Sequence, residues 1–186
     1  MSFSDADLIA RVLADDDRHA FAELVRRNQS AVRGLLRKLS GGDQGRADDL
    51  AQETFLRAYR GLPGFSGETR FSAWLLRIAY RAFLSDLRIR KKAPIAAEEP
   101  DLDAPAPGEG EPLAEGAALR HDLSRAMGRL RPEERVALAL TYGQDISHEE
   151  AAAILEWPLG TLKTQVARAK AHLRKCLLDY EARPST

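Results

Sequence analysis

The chain has 186 residues, of which 44% are hydrophobic and 30% charged, and its basic and acidic side chains balance to a formal net charge of zero. This composition is typical of a globular protein, and the aromatic share of 6% favours helices over a β-sandwich or barrel. No apolar run approaches the roughly 20 residues of a membrane span, and the acidic N-terminal segment lacks the basic and apolar parts of a signal peptide. We therefore expect no direct membrane insertion. Because Cys176 is the only cysteine, we expect a reducing, cytoplasmic location.

Charge is distributed unevenly along the chain. Residues 70–92 carry seven basic side chains and one acidic one, whereas residues 93–119 carry seven acidic side chains and no basic one. The acidic stretch also contains five prolines, and such a composition cannot bury enough apolar surface to offset the entropy of ordering. We therefore predict a flexible, acidic, proline-rich linker over 93–118, between a first domain at 1–92 and a second domain at 119–186.

The first domain shows apolar residues at helical spacing, and no stretch alternates with the period of a β-strand. Ser4 followed by Asp7 predicts a capped helix near the N-terminus. Three longer helices are predicted over about 20–39, 47–62 and 71–91. The helix over 47–62 is expected to bury Leu50, Phe55, Leu56 and Tyr59. The sequence thus predicts an all-α domain of four helices.

The second domain is predicted to begin with a helix from about residue 117 and another that starts at Pro132, a residue suited to a first helical turn. Ser147 with Glu150 predicts a second capping box, which opens a short alanine-rich helix. A turn over 156–159 leads into the last helix. A short helix, a tight turn and a second helix form the helix-turn-helix pattern.

The last helix carries an apolar stripe on one side: Leu162, Val166, Ala169, Leu173 and Leu177. At about 100° per residue, the side chains opposite the stripe or on its flanks are Thr161, Lys163, Thr164, Gln165, Arg168, Ala171 and Lys175. Small, hydrogen-bonding and cationic groups on an exposed helix suit a DNA major groove, where they meet base edges and phosphates. A basic helix that is merely solvated is the alternative.

Three segments together resemble a known family: DLAQETFLRAYRGLPGF at 49–65, FSAWLLRIAYRAFLSDLRIRKK at 71–92 and SHEEAAAILEWPLGTLKTQVARAKAHLRK at 147–175. They are similar to bacterial extracytoplasmic-function sigma factors, the group of the sigma-70 family that keeps only sigma domains two and four. The similarity covers residues from about 18 to 92 and from 119 to 178. It implies a four-helix sigma-2 domain and a helix-turn-helix sigma-4 domain, the latter reading a minus-thirty-five promoter element.

The resemblance assigns an acidic face of the third helix to RNA polymerase. Relatives lay the segment that contains Asp48, Asp49, Gln52 and Glu53 against the clamp helices of the polymerase large subunit, and the sigma-4 domain is expected at the polymerase flap. Acidic and amide groups on one helical face suit a basic partner, although a solvated acidic face is the alternative.

The loop at 61–70 and the fourth helix correspond to the part that opens the minus-ten element and captures an unstacked base. Base capture needs an apolar wall, polar groups for the base edge and cations for single-strand phosphates. The residues at the matching positions are Phe65, Arg77, Ile78, Arg81, Ser85 and Arg88, followed by Arg90, Lys91 and Lys92 as further backbone candidates. Trp74 is interpreted as a core residue.

Two residues depart from the family pattern. Many relatives have Asn where this chain has Arg81, and because Arg offers only hydrogen-bond donors, the preferred minus-ten base is expected to differ. Gln165 occupies a position where relatives carry Arg, which removes one phosphate or guanine contact. The resemblance implies a GGAAC-like minus-thirty-five element.

The resemblance implies an alternative sigma factor that binds core RNA polymerase, directs promoter-specific initiation, responds to stress and is held by an anti-sigma factor. In the free state we expect the two domains to pack together and hide both DNA surfaces. A helix-turn-helix regulator that does not bind core polymerase and, with less support, a helical protein-interaction adaptor remain alternatives.

Enzymatic chemistry has little support in the sequence. No set of nucleophile and base, glycine-rich phosphate loop or cluster of catalytic carboxylates is present, so we expect neither catalysis nor a small-molecule substrate. His172 and Cys176 are four residues apart, but a closed metal site needs further ligands. No metal or other cofactor is expected.

Overall fold

The computed structural model describes residues 3–92, 125–143 and 146–181, and its elements are helices throughout these ranges. They are α1 (Asp5–Asp15), α2 (Arg18–Leu39), α3 (Gln44–Gly61), α4 (Phe71–Lys92), α5 (Pro132–Gly143), α6 (His148–Leu155) and α7 (Leu159–Glu181), with a 3₁₀ turn at Leu62–Gly64. A further helical turn at 125–128 precedes α5. The all-α prediction is confirmed, and the predicted linker at 93–118 lies outside the described residues. No helix in these ranges combines the length and apolarity needed to cross a membrane.

Both predicted capping boxes are present. At the start of α1 the hydroxyl of Ser4 accepts the Asp7 N–H at 3.2 Å, and the Asp7 carboxylate accepts the Ser4 N–H at 2.9 Å. At the start of α6 the hydroxyl of Ser147 accepts the Glu150 N–H at 3.1 Å, and Glu150 accepts the Ser147 N–H at 3.2 Å. Each box supplies partners to backbone donors that the helix itself cannot satisfy.

Two helices begin two or three residues earlier than predicted, because an aspartate caps each of them. Asp17 accepts the N–H groups two and three residues on, so α2 begins at Arg18. Asp43 accepts the Arg46 N–H at 2.9 Å, and α3 consequently begins at Gln44. A side-chain oxygen that accepts a hydrogen bond from one of the first free N–H groups stabilises the helix start. The spacing of apolar residues does not predict such a cap.

The first domain buries leucines and alanines where α2, α3 and α4 meet, with α1 along α2. Leu24, Leu35 and Leu36 of α2 are 0% exposed. The prediction that Leu56 is buried was wrong, since it is 53% exposed whereas Leu50 is 8% exposed. Six residues rotate a helix by about 240°, which carries Leu56 away from the face of Leu50.

The two domains share one hydrophobic core. Helix α5 packs against α2, and α6 packs against α4. The apolar residues of the second domain that join the core of the first are Val136, Ala137, Ala139, Leu140, Ala151, Ala152, Ile154, Leu155, Leu162 and Val166. The described parts of the chain therefore form a closed arrangement in which the domains are docked.

Arg135 links the second domain to the end of α2. Its guanidinium donates to the carbonyl oxygens of Met127 at 3.1 Å and Gly128 at 2.7 Å, and to that of Leu39 in the first domain at 3.4 Å. Burial lowers the pKa of Arg135. The same side chain thus satisfies the carbonyls of the turn at 125–128 and reaches across the domain contact.

Candidate nucleic-acid interface

Helix α7 docks on its domain through the predicted apolar stripe. Leu162 and Ala169 are 0% exposed and Val166 is 5% exposed, while Leu173 is half-buried. Residue 177 lies where side chains are not described. The turn that sets the angle of α7 follows α6 at Glu156, and the Trp157 N–H donates to the carbonyl of Ala152 at 3.0 Å. This arrangement is the predicted helix-turn-helix.

The opposite side of α7 faces solvent. Its exposed side chains are Thr161, Lys163, Thr164, Arg168, Ala171 and Lys175, and Gln165 is half-buried. The hydroxyl of Thr164 donates to the Gly160 carbonyl at 2.8 Å, so its oxygen remains an acceptor toward the outside. The face combines cations with small and polar groups, as a helix entering a major groove requires.

Two side-chain contacts hold α7 against α5. Nδ1 of His172 lies 2.9 Å from a carboxylate oxygen of Glu134, which is 1% exposed. Nζ of Lys170 lies 4.6 Å from the centre of the exposed Tyr142 ring, a cation–π distance. His172 and Arg168 line the same open cleft beside Glu134. Within the described ranges no group of three or more His, Cys, Asp or Glu side chains could hold a metal ion.

The predicted minus-ten residues lie around the start and the middle of α4. Phe65 is half-buried and packs against Phe71 and Trp74, with ring centroids 5.7 and 5.1 Å away. Trp74 is itself only half-buried, so it belongs to an aromatic cluster at the edge of the core. Among the other candidates Ile78 and Ser85 are half-buried and Arg88 is exposed.

Three arginines of this region bind α6 of the second domain. Arg70 donates to both carboxylate oxygens of Glu150, at 2.9 and 2.7 Å. Arg77 donates to the Ala153 carbonyl at 2.6 Å, and Arg81 forms an ion pair with Glu156. The expectation that docking hides both predicted DNA surfaces is therefore wrong for α7, whose solvent side stays exposed, while Arg77 and Arg81 of α4 are held by the second domain.

The face of α3 predicted to bind the polymerase is exposed and largely polar. Asp49 and Gln52 are exposed, whereas Asp48 pairs with Arg33 of α2 at 3.1 Å. Glu53 pairs with Arg57 along the helix at 2.7 Å. Leu56, three residues after Glu53, adds an exposed apolar side chain that sequence reasoning had placed in the core.

Comparison with known proteins gives two family matches in chain order. Residues 24–93 match sigma-70 region 2, and residues 120–173 match sigma-70 region 4. The RNA polymerase sigma-H factor of Pseudomonas aeruginosa is 32% identical over 187 residues, which cover 93% of each chain. The ECF RNA polymerase sigma factor SigE of Mycolicibacterium smegmatis is 36% identical over 167 residues, which cover 88% of this chain and 62% of that protein.

A solved structure extends the likeness to three dimensions. It is the complex of the sigma factor RpoE with the anti-sigma factor NepR from Bartonella quintana. The sigma factor in it is 27% identical to this chain, with a TM-score of 0.69, and the match covers 84% of this chain and 96% of that one.

Proposed function

Because the chain belongs to the extracytoplasmic-function sigma factors of the sigma-70 family, we propose that it binds core RNA polymerase and directs initiation at a specific set of promoters. The observation that carries the proposal is the order of the two matched regions on a chain whose α7 presents an exposed groove side next to a capped α6. The polymerase performs the catalysis, and this chain recognises the promoter sequence.

The second domain reads the upstream element with α7. Thr161, Lys163 and Thr164 lie near the N-terminal end of the helix, where side chains meet base edges, and Arg168 with Lys175 lies further along, toward phosphates. Gln165 is half-buried, so it reaches the groove only from the flank of the helix. The closed chain can bind the upstream promoter element without separating its domains, because this side of α7 is already exposed.

The first domain binds both the polymerase and the melted strand. Asp48, Asp49, Gln52 and Glu53 of α3 face the polymerase clamp, and the second domain lies at its flap. The aromatic cluster around Phe65 supplies an apolar wall for an unstacked base, and the half-buried Ile78 and Ser85 follow further along α4. Arg77, Arg81 and Arg88 bind phosphates of the single strand once α4 is free of α6.

An anti-sigma factor is the second proposed partner. A structural relative of similar size is known in complex with one. When the two domains of this chain are docked, one inhibitor can contact both of them at once. The polymerase partner places the working protein in the cytoplasm, and a stress-dependent release from the inhibitor is the regulation that fits this pairing.

Run-off transcription with purified core RNA polymerase tests the proposal. We expect promoter-specific products only when this chain is added, and we expect them to depend on Gln52 and Glu53. Substituting either residue should weaken polymerase binding and leave binding to free DNA unchanged. A dimer that binds a palindrome without stimulating core polymerase would instead identify a conventional helix-turn-helix regulator.

A further inference from the structure

Glu156 occupies a backbone conformation that its side chain does not favour. It follows α6 with φ of 59° and ψ of 36°, in the left-handed region. This position after a helix is most often glycine, because a β-carbon is strained there. Helix termination therefore does not explain why a glutamate stands here, and its side-chain contacts must be considered instead.

The Glu156 carboxylate contacts Arg81, the residue that departs from the family pattern in the minus-ten region. Two unusual residues, 75 positions apart in the sequence, are thus each other's partner. Arg81 is one of three arginines on one side of the α4 segment, since Arg70 precedes it by eleven residues and Arg77 by four. All three donate to oxygen atoms of α6 or of Glu156 directly after it: two carboxylates and one carbonyl.

The exposure of these pairs indicates what they contribute. The Arg81 and Glu156 side chains are 60% and 54% exposed, and ion pairs so exposed add little to stability. The apolar contacts between the domains supply the docking energy. The ion pairs instead determine which oxygens the arginines bind, since a guanidinium that is engaged by a carboxylate is not available to a phosphate.

We propose that Arg81 and Glu156 form a latch in which α6 takes the place of single-stranded DNA on α4. The proposal rests on the proposed function, because it needs the α4 arginines to be phosphate ligands. When the latch opens, the guanidinium of Arg81 exchanges the carboxylate of Glu156 for a phosphate of the melted strand. Upstream DNA meets no such competition, since the groove side of α7 stays exposed, so the closed chain can bind the upstream element before α4 is released.

A double-mutant cycle measures the effect of the Arg81–Glu156 pair on binding of single-stranded DNA. Glu156→Gln removes its acid, and Glu149→Gln removes a neighbouring exposed acid of α6 that lies near Lys163. Binding of a fluorescein-labelled single-stranded dT20 is measured by anisotropy at low salt. Glu156→Gln should raise affinity roughly two- to fivefold, as expected for release of an exposed ion pair. Glu156→Gly, which relaxes the left-handed backbone, should do the same.

The Arg81→Gln background decides between a latch and a general charge effect. There, Glu156→Gln should leave dT20 affinity unchanged, whereas Glu149→Gln should have the same effect in both backgrounds. An equal gain from Glu156→Gln with and without Arg81 would overturn the latch, as would no gain from either substitution at 156. These outcomes do not depend on run-off transcription, so failure of the proposed function would be seen separately, as absence of product from every variant.

Discussion

Nδ1 of His172 on α7 and a carboxylate oxygen of Glu134 on α5 lie 2.9 Å apart, beneath the side of α7 that is proposed to enter DNA. Glu134 is 1% exposed and also accepts the backbone N–H of Arg131 at 3.2 Å. One buried carboxylate thus satisfies the start of α5 and fixes α7 on it. Removing it takes away the acceptor for the Arg131 N–H at the start of α5 and the contact with His172.

Glu134→Ala should therefore destabilise the protein by about 0.5–2 kcal/mol, the usual cost of losing a side-chain acceptor at a helix start. His172→Ala should cost less, because the His172 side chain is 52% exposed and water can replace it. Urea denaturation followed by circular dichroism measures both. Equal stability of Glu134→Ala and the unchanged protein would show that the pair does not hold α7 in place.

Arg168→Ala should weaken binding to the upstream promoter duplex and reduce the slope of log affinity against log salt by about one, as for loss of one phosphate contact. Lys170→Ala is the matched control, because it removes a cation from the same helix whose ammonium lies over Tyr142. Anisotropy titrations over a range of salt concentrations compare the two. A similar loss from both substitutions would contradict the proposed orientation of α7.

Leu56→Ala should weaken binding to core RNA polymerase about fivefold, since the substitution removes roughly 1 kcal/mol of apolar burial at the contact. Leu13→Ala is the control, because Leu13 is 49% exposed on α1 and does not belong to the predicted polymerase face on α3. Both proteins should keep their stability within about 0.5 kcal/mol. Surface-based binding measurements with immobilised core enzyme distinguish them, and equal affinities would remove Leu56 from the interface.

The contact between Arg70 and Glu150 should make domain docking sensitive to acid. The hydrogen bonds from Arg70 lower the pKa of the Glu150 carboxyl in the folded chain. A lowered folded-state pKa means that the contribution to stability is present above the ordinary value of 4.5 and is lost as the pH falls below it.

Carbon-13 NMR titration of the glutamate carboxyls checks this prediction directly. In Arg70→Gln the midpoint of Glu150 should rise toward its ordinary value, while that of Glu149, whose pKa is lowered mainly by its own backbone, should not move. An unchanged Glu150 midpoint would mean that the two side chains do not meet in solution.

Ser147→Ala should cost about 1 kcal/mol through loss of the cap on α6. Because the core runs through both domains, the loss should shift one unfolding transition that far-ultraviolet circular dichroism and Trp74 fluorescence report alike. A variant with Trp157 replaced by Phe removes the second tryptophan, so the fluorescence comes from the first domain alone. Separate transitions by the two probes would show that the domains unfold independently.

Local features of the fold could be predicted from sequence, and long-range ones could not. Ser147 and Glu150 are three residues apart, so a capping box could be read directly from the chain. The starts of α2 and α3 were missed because Asp17 and Asp43 act through hydrogen bonds to backbone rather than through apolar spacing. Leu56 was misplaced because an apolar residue was counted as buried without regard to its angle around the helix.

The candidate site divides in the same way. The exposed side of α7 follows from the rotation of one helix, so the position of Arg168 on that side could be predicted from sequence alone. The partner of Arg81 could not be identified, because Glu156 lies 75 residues away and only the docking of α4 on α6 brings them together. Sequence comparison had suggested a changed base preference at Arg81, whereas the structure shows an acid bound to it.

The shared core of the two domains has a consequence for the lifetime of the protein in the cell. When α5 leaves α2, apolar side chains such as Val136 and Leu140 lose part of their cover, and fully exposing each would cost about 1.5–3 kcal/mol. An open chain without a partner would expose this apolar surface to other chains, which favours aggregation. Closing restores that cover, so molecules that have not yet bound a polymerase are protected from aggregation.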